Sequence, residues 1–241
     1  MAASLALVTY NIRRGIGANG RGDGRLEPLA SALATCAPQL LLCQEVFHPA
    51  DGGPGQSQVL ADALGLNSYY EPNRQRRRGS VGNATMTHLP AERCANHNIS
   101  TNWLEHRGVL YVRLRLGDRP LHIFNAHLGL NQHQRNVQVR RIRGLLSATC
   151  APGEPVILAG DFNDWNRRLD PQITQQLQLT NVAAHLQGRA GLTYHAQRPL
   201  FSLDRIYVRN LVCHAVARLA GSPWDVLSDH LPLRAELALS G

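Results

Sequence analysis

The sequence contains no lysine, so all 25 of its basic residues are arginine. Aromatic residues make up only 5% of the chain, which leaves few stacking platforms for single-stranded nucleic acid. No segment approaches the roughly 18 continuous apolar residues that a membrane-spanning helix needs. None of the five cysteines stands in a C-x-x-C pair, and no two of the 11 histidines are spaced H-x-x-x-H. A cysteine-based zinc site and a helical zinc-hydrolase motif are thereby excluded. A repeat architecture is excluded too, because no self-similarity recurs at about 20–50 residues. Cys36, Cys43, Cys94, Cys150 and Cys213 are odd in number and three lie in apolar runs, the pattern of reduced core residues. The opening MAASLALVTYNIRRG lacks the basic start and apolar length of a secretory signal. A cytoplasmic protein is expected.

What is present is a globular composition: 241 residues, 44% hydrophobic and 17% charged, enough to bury a large core. The 25 arginines outnumber 17 acidic residues, giving a formal charge of +8. A surplus of this sign favours an anionic partner such as nucleic acid, a phospholipid headgroup or a phosphorylated metabolite; the alternative is a basic surface kept in solution by self-repulsion. Arginine's planar fork suits phosphate, although an all-arginine set also follows from a G- and C-rich genome.

Short apolar runs at 5–10, 40–43, 109–116, 121–126, 156–158, 202–208 and 231–237 read as strands. Helical spacing occupies 26–36, 56–64 and 134–149, and the connections at 15–24, 50–55 and 73–82 are too short to separate domains. The expectation is a single α/β domain spanning 1–241. Asn11, Glu45, His127, Asp161 and Asn163 each follow an apolar run, as side chains do in a site built at strand ends. Glu45, Asp161, Asp204 and Asp229 all border apolar runs, where an unpaired charge is costly, so each needs a cation, a histidine, an arginine or several backbone donors. Oxygen donors without a cysteine cluster suit Mg²⁺ or Mn²⁺ better than zinc. His48, His88, His97, His106, His133, His185, His195 and His214 read as surface or satisfied core residues; His127 and His230 stand apart beside other polar candidates.

The blocks TYNIRRG, QEV, GNATMTHLP, FNAHLGL, AGDFND, LDRIYV and SDHLP, spread over 8–237, resemble in order and spacing the endonuclease/exonuclease/phosphatase superfamily of deoxyribonuclease I-like enzymes. The ends of the chain are most similar to a bacterial subgroup of it. The resemblance implies a four-layer α/β/β/α sandwich of two packed mixed sheets flanked by helices. It implies a divalent-metal site at Asn11 and Glu45 with Asp229 close to the ion. Asp161 and Asn163 would address the attacking water and the scissile phosphate. His230, oriented by Asp204, would complete the acid/base machinery, and His127 would bond a phosphate oxygen. Which of Asp161 and His230 takes the proton is left open by the resemblance.

Asn83 matches a family position near the phosphate or else stabilises a turn. Arg74, Arg76, Arg77 and Arg78 precede that block and either hold a polyanion or form a solvated run. Arg135 and Gln138 share a helical face and are expected to give structural support, with Arg140, Arg141 and Arg143 turned to solvent. Two departures matter. Thr87 and His88 stand where many relatives have serine and arginine. His127 resembles the deoxyribonuclease and sphingomyelinase branches, whereas abasic-site endonucleases typically have tyrosine there. The expected activity is metal-dependent phosphodiester hydrolysis by a monomer, with nucleic acid first among substrates and a phospholipid or small metabolite as the alternative. A phosphomonoesterase is compatible with the same site, and a non-catalytic nucleic-acid-binding module is the reading from another class. No amphipathic membrane anchor is evident in the sequence.

Overall fold

A period of two along the apolar runs decides the architecture, because alternate side chains leave opposite faces of a strand. In the computed structural model, which describes residues 4–22, 26–184 and 191–240, these strands form two six-stranded mixed sheets. One has the order β11-β12-β1-β2-β4-β3 and contains β1 (Ser4–Asn11), β2 (Leu40–Pro49), β3 (Asn67–Arg76), β4 (Gly79–Thr87), β11 (Leu211–Arg218) and β12 (Leu233–Leu239). The other has the order β5-β6-β7-β8-β10-β9, from β5 (Arg93–Asn98), β6 (Gly108–Leu116), β7 (Arg119–His127), β8 (Val156–Asp161), β9 (Thr180–Asn181) and β10 (Asp204–Arg209).

The sheets face each other across one apolar layer built from Leu5, Leu7, Leu40, Leu42, Leu121, Ile123, Ile157, Ala159, Ile206 and Val208 with their neighbours. Each such aliphatic side chain, fully buried, stabilises the fold by roughly 1.5–3 kcal/mol. The intervening residues point outward. Val8, Tyr10, Leu41 and Cys43 pack on α1 (Leu26–Ala34) and α2 (Gln56–Leu64), while Phe124, Ala126, Leu158 and Tyr207 pack on α3 (Gln132–Thr149) and α4 (Asp170–Gln176). The result is the four-layer α/β/β/α sandwich that the resemblance implies. No helix among the described residues is long and apolar enough to cross a membrane.

The segment expected as a connection at 73–82 is instead the closing part of a β3–β4 hairpin, with Arg74 opposite Val81 and Arg76 opposite Gly79. Its strand character was hidden because β3 is an edge strand, exposed along its arginine-rich end and carrying no apolar alternation there. Charges on an edge also discourage pairing with another chain. β5 and β11, equally absent from the apolar pattern, are edge strands as well. Part of the 15–24 connection, and His185, lie outside the described residues.

Candidate active site

The inner faces that build the apolar layer turn polar at one end of the sandwich. Along β1 the inward series runs Leu5, Leu7, Thr9, Asn11; along β7, Leu121, Ile123, Asn125, His127; along β8, Ile157, Ala159, Asp161. β10, antiparallel to β8, reaches the same end at Asp204, which pairs with Asp161. The alternation that fills the core therefore delivers four polar side chains to one place. Gly160 permits the approach of β8 to β7: its φ is +137°, and a Cβ there would lie 2.0 Å from the Ala126 carbonyl oxygen.

Below the site a polar seam joins the sheets. Gln44 Nε2 donates to Asn125 Oδ1 at 2.8 Å, and Asn125 Nδ2 donates to the carbonyls of Cys43 (3.1 Å) and Ala84 (2.9 Å). Asn83 Nδ2 donates to the carbonyls of Asn125 (3.0 Å) and Gly108 (3.2 Å). Asn83 is thus a buried mid-strand residue and not a turn. Its amide nitrogen is spent on the two carbonyls, its oxygen is buried without a hydrogen-bond partner among the described residues, and the residue lines the cleft.

Glu45 does not follow a finished strand, as the sequence suggests, but sits inside β2 at a bulge between Cys43 and Val46. Its φ is +54°, a left-handed conformation that costs a non-glycine residue about 1 kcal/mol. The bulge re-aims the carboxylate toward Asn11, whose Nδ2 lies 3.5 Å from Glu45 Oε1.

Asp161 is the hub. Its Oδ2 accepts from Asn11 Nδ2 at 3.1 Å and lies 3.4 Å from His127 Nε2 and 3.7 Å from His230 Nε2; its Oδ1 accepts from the Asn163 backbone N–H at 2.9 Å. Burial, opposed by the nearby His230 and reinforced by Asp204, leaves its carboxyl raised to about 6. His230 Nδ1 is 2.9 Å from Asp204 Oδ2. Burial alone would lower this imidazole, but Asp204 and Asp161 outweigh it and raise His230 to about 10. His127 goes the other way, well below the ordinary histidine range, because it is buried and faces the Arg107 guanidinium and His230. Arg107 Nη1 lies 3.0 Å from His127 Nε2, and Glu105 Oε1 accepts from Arg107 Nη2 at 2.7 Å and Nε at 3.1 Å. A neutral His127 accepts the Arg107 hydrogen bond, so its contact with Asp161 is not an ion pair.

The other expected residues fall around this centre. Asp229 Oδ2 is 3.1 Å from Arg13 Nε, and Ser228 Oγ donates to the Asn11 carbonyl at 2.7 Å. Asn163 meets Asp161 through its backbone, while its side-chain Nδ2 donates to the Leu128 carbonyl at 2.9 Å. Arg74 and Arg76 line a cleft of about 360 Å³ together with Glu45, Asn83, Arg107 and His127. Arg77 and Arg78, at the hairpin tip, border an adjoining groove with Arg14 and Phe47 and stand off from the hub. Thr87 pairs with Leu40 at the far end of β2, so neither it nor His88 reaches the cleft. Arg135 and Gln138 are buried supports: Arg135 Nη1 bonds the Leu130 carbonyl at 2.6 Å and Gln138 Oε1 accepts from the Gly129 N–H at 2.8 Å. Arg140, Arg141 and Arg143 are exposed.

Arg13, Arg14, Glu105, His106 and Arg107 border the site without having been expected there. Nothing in the string LEHRG marks Arg107, since its partner His127 is 20 residues away.

The donors fit a hard divalent ion. Glu45 is partly exposed at the cleft, and its Oε2 lies 3.9 Å from Arg14 Nε. Asn11 Oδ1 accepts from the Arg13 N–H at 3.0 Å and keeps a second lone pair, while its Nδ2 bridges the Glu45 and Asp161 carboxylates. Among the described residues, Asp161, Asp204 and His230 form the only acid–histidine cluster whose ligand atoms all lie within 4.8 Å. Because Asp204 and His230 bond one another, that cluster suits proton handling better than metal ligation.

Comparison with known proteins identifies the family and the fold. The uncharacterized protein YbhP of Escherichia coli K12 is 34% identical over 247 residues, covering 98% of this chain and 97% of YbhP. The crystal structure of an endonuclease/exonuclease/phosphatase from Beutenbergia cavernae superposes with a TM-score of 0.82 at 20% identity, over 99% of this chain and 72% of that one. TDP2 of D. rerio, complexed with single strand DNA product, superposes with a TM-score of 0.74 at 17% identity, over 98% and 99% of the two chains. The model of the Endonuclease/Exonuclease/phosphatase family matches residues 8–230, and the chain belongs to that family.

Proposed function

We propose that the chain is a divalent-metal-dependent phosphodiesterase, with residues 1–241 forming one catalytic domain. The observation that carries this reading is the convergence of Asn11, His127 and His230 on one oxygen of Asp161, at 3.1, 3.4 and 3.7 Å. Glu45 and Asp229, with Asn11, would hold Mg²⁺ or Mn²⁺, which when bound supplies Lewis-acid polarisation of the phosphoryl oxygen. Asp161 accepts the proton of the attacking water; a carboxyl raised to about 6 is a stronger base than an ordinary one and still ionised at neutral pH. His230, kept cationic and oriented by Asp204, donates from Nε2 to a phosphate oxygen. Neutral His127 and cationic Arg107 form the opposite wall, where the amide oxygen of Asn83 suits a donor group of the substrate or a water. Asn163 holds Asp161 in place through its N–H.

The four hairpin arginines support an extended or interfacial anionic diester, nucleic acid or a phospholipid headgroup, over a small neutral ester. Burial, then Arg74 and Arg14, depress Arg76 against the opposing pull of Glu45, so positive charge gathers around Arg76 at the cleft. All five cysteines are free, which supports the cytoplasm as the compartment, and the reading takes the working unit to be a monomer.

Hydrolysis of bis(p-nitrophenyl) phosphate with Mg²⁺, Mn²⁺ or EDTA tests the chemistry. Turnover should need the metal, and Asp161→Asn should lower kcat by about 10²-fold or more. A folded Asp161→Asn protein with unchanged turnover would refute the mechanism.

A further inference from the structure

Eight large apolar side chains of the described residues are exposed, and six of them stand on the loops around the cleft: Trp103 (79%), Leu104 (64%), Leu130 (60%), Trp165 (36%), Leu200 (64%) and Phe201 (36%). Their placement follows from topology. The segment before β6 carries Trp103 and Leu104, and the one after β7 carries Leu130. Trp165 follows β8, and Leu200 and Phe201 precede β10. β6 and β10 run antiparallel to β7 and β8, so all four segments leave the sheet at the end where His127 and Asp161 lie. Leu104 and Leu130 line the cleft beside Arg107 and His127. On the other side Trp165 packs edge-to-face on Phe201 and Tyr194, and Tyr194 lies 5.0 Å from His230. The arginines of the β3–β4 hairpin border the same mouth.

We propose that this rim is a membrane-docking surface: its apolar side chains enter the headgroup region of an anionic phospholipid bilayer, and the adjoining arginines meet the lipid phosphates. A chain whose described residues include no helix long and apolar enough to span a membrane would thereby be held at the bilayer by apolar insertion and charge together, the two signals that give stable peripheral binding. That lipid headgroup diesters are then the substrate rests on the hydrolytic reading above; the docking itself does not.

The rim favours lipid over single-stranded nucleic acid. Its four most exposed members are Trp103 and three leucines, and leucine has no π-face on which a base can stack. Trp165 and Phe201, the rings beside the hub, are already packed against each other and less exposed. A second copy seated on the rim would block the cleft it surrounds.

The test is flotation of the full chain with phosphatidylcholine vesicles and with phosphatidylcholine–phosphatidylglycerol vesicles, at low and high salt. Trp103→Ser/Leu200→Ser is compared with the conservative Trp103→Phe/Leu200→Ile. The wild type should float with the anionic vesicles, less so in high salt. The serine pair should lose binding by roughly tenfold or more, the conservative pair should keep it, and both should hydrolyse bis(p-nitrophenyl) phosphate as the wild type does. Absence of flotation, or equal flotation by the serine pair, overturns the proposal. So does a serine pair that loses affinity for a single-stranded oligonucleotide while vesicle binding is unchanged. Flotation that depends on the rim, in a protein that cleaves no small diester, supports the docking and refutes the hydrolytic reading alone.

Discussion

His127 and His230 are buried to almost the same degree, 6% and 5% exposed, and each turns Nε2 toward the same oxygen of Asp161, yet one is driven toward neutrality and the other toward the cation. Burial acts on both in the same direction. What separates them is the next neighbour: Arg107 stands 3.0 Å from His127, and Asp204 stands 2.9 Å from His230. Depth in the fold therefore does not assign a protonation state, and the charge of the adjacent residue decides it.

The comparison can be broken most severely at Asp204. Replacing it by asparagine removes the charge that keeps His230 protonated, and kcat on bis(p-nitrophenyl) phosphate should fall on the order of 10²-fold. The pH–rate profile carries the sharper readout. In the wild type, activity should rise as Asp161 loses its proton near about 6 and fall as His230 loses its proton near about 10. In Asp204→Asn the alkaline limb should move to lower pH; an unmoved limb would show that His230 owes its charge to something else.

Arg107→Ala tests the other side with a smaller effect. His127 should titrate at higher pH in imidazole NMR, though burial and His230 still hold it down, and kcat should drop about tenfold for the loss of one charge-assisted hydrogen bond. A titration of His127 that stays where it was would separate it from Arg107 altogether. The smallest change is expected at the hairpin tip, away from the hub. Arg77→Ala/Arg78→Ala should raise KM for an anionic macromolecular or vesicle substrate a few-fold, more at low salt than at high, and leave kcat unaltered. A fall in kcat would place those arginines nearer the chemistry than the adjoining groove does.

Much of this site was readable along the chain. Asn11, Glu45, His127, Asp161, Asp204 and His230 stand in or beside apolar runs, and the ordered blocks that contain them span most of the domain. Glu45 was legible as a polar residue after LLLC, but its bulge was not, because the extra residue is defined only against its partner β4. The hairpin arginines were visible as a run, while the strand that carries them was not, since an edge strand needs no apolar alternation. Gln44 and Asn125 lay inside recognised blocks, yet their work in joining the sheets appears only when β2 and β7 face each other.

The sequence by itself determined the α/β class, the inward and outward alternation of the central strands, and the residue types at their ends, because these are local properties of side-chain spacing and hydrophobicity. Only the tertiary structure decided which histidine is charged, that Arg107 reaches His127, and that Trp103, Leu104, Leu130, Trp165, Leu200 and Phe201 gather around one cleft. Electrostatic pairing and surface clustering depend on distance through space, and residues 20 to 100 positions apart acquire a common distance only when the two sheets close on each other.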